Sequence, residues 1–512
     1  MLKSITNYLF LVFLRFNFNK YNFTDFKDLN FKENDFNNYK IIKHNIIRDN
    51  YIYNLSIPNV HNFDFLYYYK KIGGKKGINL CKKNIFAWFK KFKYYKNFPW
   101  SGDYSSRRFI NIIYNYDFIC SISNKNEKRK IDYILNFHIK RIIFEINRQT
   151  NDNISSYQML CLALLECLKK NIKKRNLEKI QNIIHYQLDE ISIHKSYNIL
   201  EHAKFLNNLI EIKNIFLFLK LEISDFLSNN IFAMTSLLKT YKHHDASLPL
   251  FNGCNNNHNE IIQNISKKEK FLKVSTLTNF KNGIAVYKDY HKALFFDVVQ
   301  PTTLEHHNEL SAGTLSIEIS AGKEKIITNC GGTESSGKNP AYLKYSAAHS
   351  TIILNNTNIT EIKENESNKM FPKEVFFETK DTDDKLVLSG THNGYLKKYK
   401  KICKRQLYIN KKKNIFKGED IIISSKSKIE KTIYHIRFHL MPGISTTITE
   451  NKKNVILKTI KNNIWMFRSN NEVLIEKSIY VNNDIALESS QIVITGITSS
   501  LKNKIQWSLE KI

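Results

Sequence analysis

The sequence predicts an α + β chain of more than one domain, with a helical layer in the N-terminal half and antiparallel, sandwich-like sheets in the C-terminal half. Three observations predict it. The 512 residues exceed what a single hydrophobic core serves. From about residue 85 to 240 the apolar residues recur at helical spacing, whereas beyond residue 255 strict alternation replaces that period.

In the helical half, Ile131, Ile134, Leu135, Ile139, Ile142 and Ile143 form one stripe, and Met159, Leu160, Leu162, Leu164 and Leu165 begin another. Further helices are expected over Leu177–Ile191, Tyr197–Phe216 and Ile231–Tyr241. Consecutive helices with short polar joins and no strand signal read as one all-α layer. Asn252-Gly253 and the polar run Asn255-Asn256-Asn257-His258-Asn259 end it. Beyond that boundary the expected strands are Phe271–Thr278, Ile284–Tyr287 after an Asn282-Gly283 turn, Ala293–Val298, Thr314–Ile319, Lys325–Thr328 and Thr351–Leu354. Strand-like pieces continue to the C-terminus, among them Ile433–Leu440, Asn454–Ile460, Val473–Tyr480, Gln491–Thr495 and Lys504–Leu509. The expected organisation is a partly helical N-terminal extension over 1–84, a helical domain over 85–255 and a β-sandwich domain over 270–512.

The formal charge of +31 would suit a polyanionic partner. Abundant Lys, Asn, Ile, Phe and Tyr beside scarce Ala, Gly and Pro point instead to compositional drift as the source of much of the Lys excess. Seven cysteines without C-x-x-C spacing argue against a zinc ribbon and a disulfide scaffold. No run approaches the roughly 18 apolar residues of a membrane span. Tyr8 to Leu14 imitates the apolar part of a signal peptide, but Arg15, Asn17, Asn19 and Lys20 follow without a small-residue cleavage site, so an amphipathic first helix is expected. There is no Walker loop, G-x-G-x-x-G, H-E-x-x-H, G-x-S-x-G or zinc-finger signature, which turns the reading away from nucleotide and serine-hydrolase chemistry and from nucleic acid.

Among residues with usable chemistry, His349 stands where an expected strand begins, after a loop that also carries Asn329-Cys330-Gly331-Gly332, Tyr342, Lys344 and Tyr345. Such a loop can present side chains to a ligand while the sheet holds them. A neutral imidazole there can ligate metal or shuttle protons, although a lone His in this position is more often just hydrogen-bonded. His306-His307 and His243-His244-Asp245 lack recognised metal spacing. His435, Arg437 and His439 fall on one face of a strand, as either a basic ledge or an ordinary polar face opposite Ile436, Phe438 and Leu440.

Ser311-Ala312-Gly313-Thr314-Leu315-Ser316, Asn329-Cys330-Gly331, Ala348-His349-Ser350-Thr351, Ile436-Arg437-Phe438-His439-Leu440 and Trp507-Ser508-Leu509 follow one another over residues 285–510. In that order and spacing they resemble the C-terminal domain of heparinase II/III-like proteins. Pro99-Trp100 with Ser106, Arg108 and Asn111 resembles the start of that family's incomplete α/α toroid, and Phe251-Asn252-Gly253 its exit. The resemblance implies a polysaccharide lyase: a base removes the C5 proton of a uronic acid unit and the 4-linked oxygen leaves by β-elimination. It implies His349 with Tyr345 or Tyr342 as catalytic residues, Lys344, Arg405 and Arg437 as substrate-neutralising cations, an acidic polysaccharide as partner, and a cell-envelope or periplasmic setting, a cytoplasmic one remaining open without a clear leader. The family's zinc positions fall on Ser311, Asn329 and His349, so that His349 and Asn329 are the expected metal ligands and zinc binding is weakened. The alternative is a catalytically impaired glycan-binding or envelope-polysaccharide assembly protein of the same fold.

Overall fold

Helices occupy the chain from residue 58 to 268 and strands dominate from residue 277 onward in the computed structural model. It describes residues 58–512 apart from 94–98, 101, 170–173, 257–258, 270–276, 280–282, 301–309, 334–340, 361–373, 426–429 and 483–484. The expected first helix, His306-His307 and most of the strand expected over Phe271–Thr278 lie outside the described residues.

The helices are α1 (Pro58–Asn62), α2 (Phe65–Ile72), α3 (Gly74–Phe92), α4 (Gly102–Tyr114), α5 (Tyr116–Cys120), α6 (Lys125–Ile146), α7 (Ser156–Lys169), α8 (Lys174–Gln187), α9 (Ile199–Phe218), α10 (Asp225–Thr240) and α11 (Asn259–Lys268). The start of α6 is fixed locally. The Asn124 side chain accepts the N–H groups of Asn126 and Glu127, while Glu127 returns a bond to the Asn124 N–H, satisfying donors that a helix start leaves open. The stripe Ile131, Ile134, Leu135, Ile139 and Ile142 is buried as its spacing predicts. No helix among the described residues is long and apolar enough to cross a membrane.

Residues 58–84, placed by sequence in an extension, are built into the helical unit. Arg108 of α4 is wholly buried and explains why. Its guanidinium lies 3.9 Å from the Trp88 ring centroid and 4.8 Å from that of Trp100. It donates to the carbonyls of His61 and Pro99 and to His138 Nε2. Asn111, one turn on, holds the Asn62 carbonyl and Asp64. The Pro99-Trp100…Arg108…Asn111 pattern is thus a packing device that binds α1 and α2 to α4.

The strands are β1 (Leu277–Asn279), β2 (Gly283–Lys288), β3 (Lys292–Val298), β4 (Ile317–Ala321), β5 (Glu324–Thr328), β6 (Ile352–Leu354), β7 (Val375–Asp381), β8 (Lys385–His392), β9 (Lys401–Asn410), β10 (Ile415–Ser424), β11 (Ile433–Leu440), β12 (Ser445–Ile448), β13 (Asn454–Lys458), β14 (Ile464–Ser469), β15 (Val473–Asn482), β16 (Ile485–Ile497) and β17 (Lys502–Lys511). They form two antiparallel sheets. A nine-stranded sheet runs β1-β2-β3-β4-β5-β11-β16-β15 with β6 also on β11, and an eight-stranded sheet runs β12-β13-β14-β17-β10-β9-β8-β7. One apolar core takes side chains from both, including Phe296, Ile317, Ile436 and Phe438 from the first and Leu407, Phe416, Phe467 and Trp507 from the second.

The chain divides into two compact units differently from the single boundary expected near residue 255. One takes the described residues within 58–192, 204–233 and 260–269; the other takes those within 193–203, 234–259 and 270–512. Strand β3 shows why the middle segments go with the sheets: it is buried along its whole length, and so on both faces. Its outward Phe295 ring packs 4.4 Å from that of His243. The Tyr241 hydroxyl donates to the Ile284 carbonyl, and Asn198 holds the Asn252 carbonyl. Residues 234–256 therefore cap a sheet face that would otherwise expose apolar surface.

Candidate functional site

The site is organised by Glu318, which points away from the core between Ile317 and Ile319 of β4. It is fully buried, so its charge requires partners. One carboxylate oxygen accepts the Leu250 N–H at 2.9 Å, the Asn329 N–H at 3.2 Å, Asn329 Nδ2 at 3.3 Å and the Thr328 hydroxyl at 3.2 Å. The other meets His243 Nε2 at 2.9 Å and Lys325 Nζ at 3.1 Å. Burial alone would raise this carboxyl, yet Lys325, His243 and the Leu250 N–H take it down to about 2. Burial conversely takes His243 down to about 4, so a neutral ring donates from Nε2 and accepts the Ser320 hydroxyl at Nδ1.

Asn329, at the end of β5, passes this order on. Its Nδ2 is spent on Glu318 and its Oδ1 accepts the Ser350 N–H at 2.8 Å. The Ser350 hydroxyl donates to the Thr328 carbonyl and accepts the His439 N–H. His349, between the 3₁₀ turn Ser346–Ala348 and β6, is thereby placed from the residue beside it. Its ring lies on Gly313, where a methyl group would stand 2.9 Å from Cγ. Glycine is required there because nothing larger leaves room for the imidazole.

His349 is 2% exposed, and neither ring nitrogen has a hydrogen-bond partner. Burial lowers its pKa to about 4, with Glu318 working in the opposite sense. The ring is neutral at pH 7. Ser311 is buried close by in the chain path: its N–H is held by Asn252 Oδ1 at 3.1 Å and its hydroxyl is unpaired. Buried unpaired polar atoms occur elsewhere too, but among the described histidines His349 is the one with both ring nitrogens buried and unpaired.

The other expected site residues fare differently. Arg405, read as a substrate-neutralising cation, is a core residue. It is fully buried, makes two bonds to Asp420 at 2.6 and 3.1 Å, and donates to the carbonyls of Leu315 and Ser350. Four of its five N–H donors are thus used within the fold, and it joins the two sheets. Arg437 pairs with Glu476 at 2.8 Å. His439 is buried against Ser478 and the Ala347 carbonyl, with its pKa taken down to about 3 by burial, His349 and Arg437. His435, Arg437 and His439 do share one strand face, with Ile436, Phe438 and Leu440 in the core, yet they form no free basic ledge. Tyr342 and Tyr345 are 53% and 37% exposed and make no hydrogen bond or ring contact with His349. Lys344, in the short turn α12 (Ala341–Lys344), gives its carbonyl to the Ala312 N–H and so ties the Tyr-bearing loop to the Gly313 segment.

A zinc site does not assemble from these donors. Ser311 offers a neutral hydroxyl, Asn329 has both side-chain groups engaged, and His349 alone offers a free imidazole. No group of three or more His, Cys, Asp or Glu side chains able to hold a metal occurs among the described residues. Glu318 and Asn252 were not picked out as functional from sequence. The only signal for Glu318 was a carboxylate in an otherwise apolar strand, and Asn252 stood in the Phe251-Asn252-Gly253 stretch.

Residues 280–508 match the heparinase II/III-like C-terminal domain. The chain is similar in structure to the heparan sulfate lyase HepC from Pedobacter heparinus, with 13% identity, a TM-score of 0.59, and coverage of 88% of this chain and 76% of that one. It is also similar to heparinase III, with 11% identity, a TM-score of 0.69, and coverage of 88% and 77%. A second heparinase III matches at 10% identity and a TM-score of 0.64, over 88% and 78%. No curated protein matches the chain in sequence. At these identities the likeness is one of fold: helices followed by two antiparallel sheets, as in polysaccharide lyases. Residues 280–508 thus form a heparinase II/III-like C-terminal domain, and the likeness to the solved heparinase structures supports that family for the chain.

Proposed function

We propose that this chain acts on a uronic-acid-containing acidic polysaccharide by β-elimination, with His349 as the central group and without zinc at Ser311, Asn329 and His349. The observation that carries the reading is a buried neutral imidazole with both nitrogens unpaired. A neutral ring can take a proton at one nitrogen while donating a hydrogen bond from the other. In the step, the C5–H proton moves to a base, the C5 electron pair forms the C4–C5 double bond, and the C4–O bond breaks. The leaving oxygen receives a proton from an acid, for which Tyr345 or Tyr342 is the candidate. At a pKa of about 4 the resting His349 is a weak base, and an anionic uronate beside it would raise that value. Lys344 and Arg437 are the remaining candidates to neutralise the carboxylate. The helical half is proposed to adopt the incomplete α/α toroid of the lyases, and the setting is proposed to be the cell envelope or periplasm.

The test is incubation of the purified chain with uronate polymers while following the ultraviolet absorbance of an unsaturated uronate. Product that disappears in His349→Ala supports the reading; no product from any uronate polymer would sink it. A second reading, glycan binding without cleavage, is favoured by the commitment of Asn329 to Glu318 and Ser350 and by the absence of contact between either tyrosine and His349. Saccharide binding that survives both His349→Ala and chelation would mark that case.

A further inference from the structure

We propose that the outward face of the eight-stranded sheet holds a second saccharide-binding site, a groove of about 400 Å³ crossing strands β9, β10, β17 and β14. Its basis is a register row. Tyr408 of β9 pairs with Lys417 of β10, Lys417 with Ser508 of β17, and Ser508 with Arg468 of β14. Four side chains thus stand in line on one face across four strands, about 14 Å at the usual strand spacing. The row is large, large, small, large, and the depression follows from Ser508 between two long cations.

The opposite side of the same strands is the core, with Leu407, Phe416, Trp507 and Leu509. There Gly418 pairs with Trp507, whose indole occupies the space a Cβ would need. That stacking makes a rigid floor. In the next register row, Glu419 faces Gln506 and is only 8% exposed, receiving the Gln506 amide at 3.2 Å. Lys504 Nζ stands 3.7 Å from the same Glu419 oxygen, and the second carboxylate oxygen has no hydrogen bond within the protein, so it is available to a ligand. Tyr408 is 37% exposed with its hydroxyl unbonded, Lys417 is exposed with no ion pair, and Arg468 has only an exposed pair to Glu510 at 3.3 Å.

This combination fits pyranose units bearing acid groups. The Tyr408 ring offers an apolar face to a sugar ring, Glu419 accepts sugar hydroxyls, and Lys417 and Arg468 meet a carboxylate or sulfate. A nucleic acid fits less well, since the Glu419 carboxylate opposes phosphate and one tyrosine is no stacking platform. The ligand class rests on the function proposed above, but binding here requires no cleavage.

Isothermal titration of the full chain with oligogalacturonate and with heparin-derived oligosaccharides tests the proposal. Tyr408→Ala and Lys417→Ala should each weaken binding at this site about tenfold. Ser508→Tyr, at an outward position, should block it with an unchanged melting temperature, and His349→Ala should leave it intact. Unaltered binding in Tyr408→Ala and Ser508→Tyr, equal competition by single-stranded DNA, or no oligosaccharide binding at all would overturn it. Groove binding without any elimination product would sink the lyase reading and leave this one standing.

Discussion

The backbone of Gly313 lies under the imidazole of His349, so closely that a Cβ would come 2.9, 3.0 and 3.1 Å from its Cγ, Nδ1 and Cδ2. The ring, not a flexible chain end, is what a methyl group would strike. Gly313→Ala should therefore displace His349 and cost about 1–3 kcal/mol, as overpacking does. Chemical denaturation checks the stability, and loss of elimination product checks the displacement. A fully active and equally stable Gly313→Ala protein would show that the ring is free to move.

The pairing of Arg405 with Asp420 gives a prediction opposite in kind. Removing one member of a buried hydrogen-bonded pair costs about 3–5 kcal/mol, because the other charge is left stranded. Arg405→Ala should unfold more readily under denaturant, whereas Arg437→Ala, whose pair partner Glu476 is 41% exposed, should change stability by less than about 1 kcal/mol. If Arg405→Ala folds normally and loses only glycan affinity, the cation faces a ligand after all.

That buried pair also explains what was legible in the sequence. A strand such as β11 was readable because its apolar residues Tyr434, Ile436, Phe438 and Leu440 alternate toward the core. Strands β7 to β10 were not among those expected, and β9 shows the reason: its inward positions are Lys401, Cys403, Arg405, Leu407 and Ile409, all buried. Opposite them, β10 turns Gly418 and Asp420 inward. A core ion pair and a glycine erase the period-two signal. The site shows the same limit. His349 could be named, but its environment comes from Glu318, Asn329 and Asn252, whose convergence depends on strand pairing and on 234–256 folding back over β3, neither of which is a local property of the chain.

Glu318 should act as a positioning residue. Glu318→Gln keeps the shape but removes the charge that Lys325 faces at 3.1 Å and turns an acceptor of several N–H groups into a partial donor. The expected result is clear destabilisation, together with a His349 titration shifted further down, since the carboxylate is what opposes the effect of burial. Proton-detected titration of the histidine rings reads the shift. A His349 titration unmoved in Glu318→Gln would remove Glu318 from the site's electrostatics.

Burial of several histidines sets the pH dependence of stability. His349, His243 and His202 fall from 6.5 to about 4 in the folded chain, chiefly through burial. Between those values the unfolded chain binds protons that the folded chain refuses, so the slope of unfolding free energy with pH is positive. The contribution is complete above pH 6.5 and is lost as the pH falls toward 4, at most about 1.4 kcal/mol per pH unit for each ring. Replacing His349 by Gln, which cannot titrate, should make the fall shallower by one proton's worth. Urea midpoints measured in steps across this window test it directly. If wild type and His349→Gln lose stability in parallel, the folded ring takes up its proton over the same pH range as the unfolded one, and burial does not hold His349 neutral through this window.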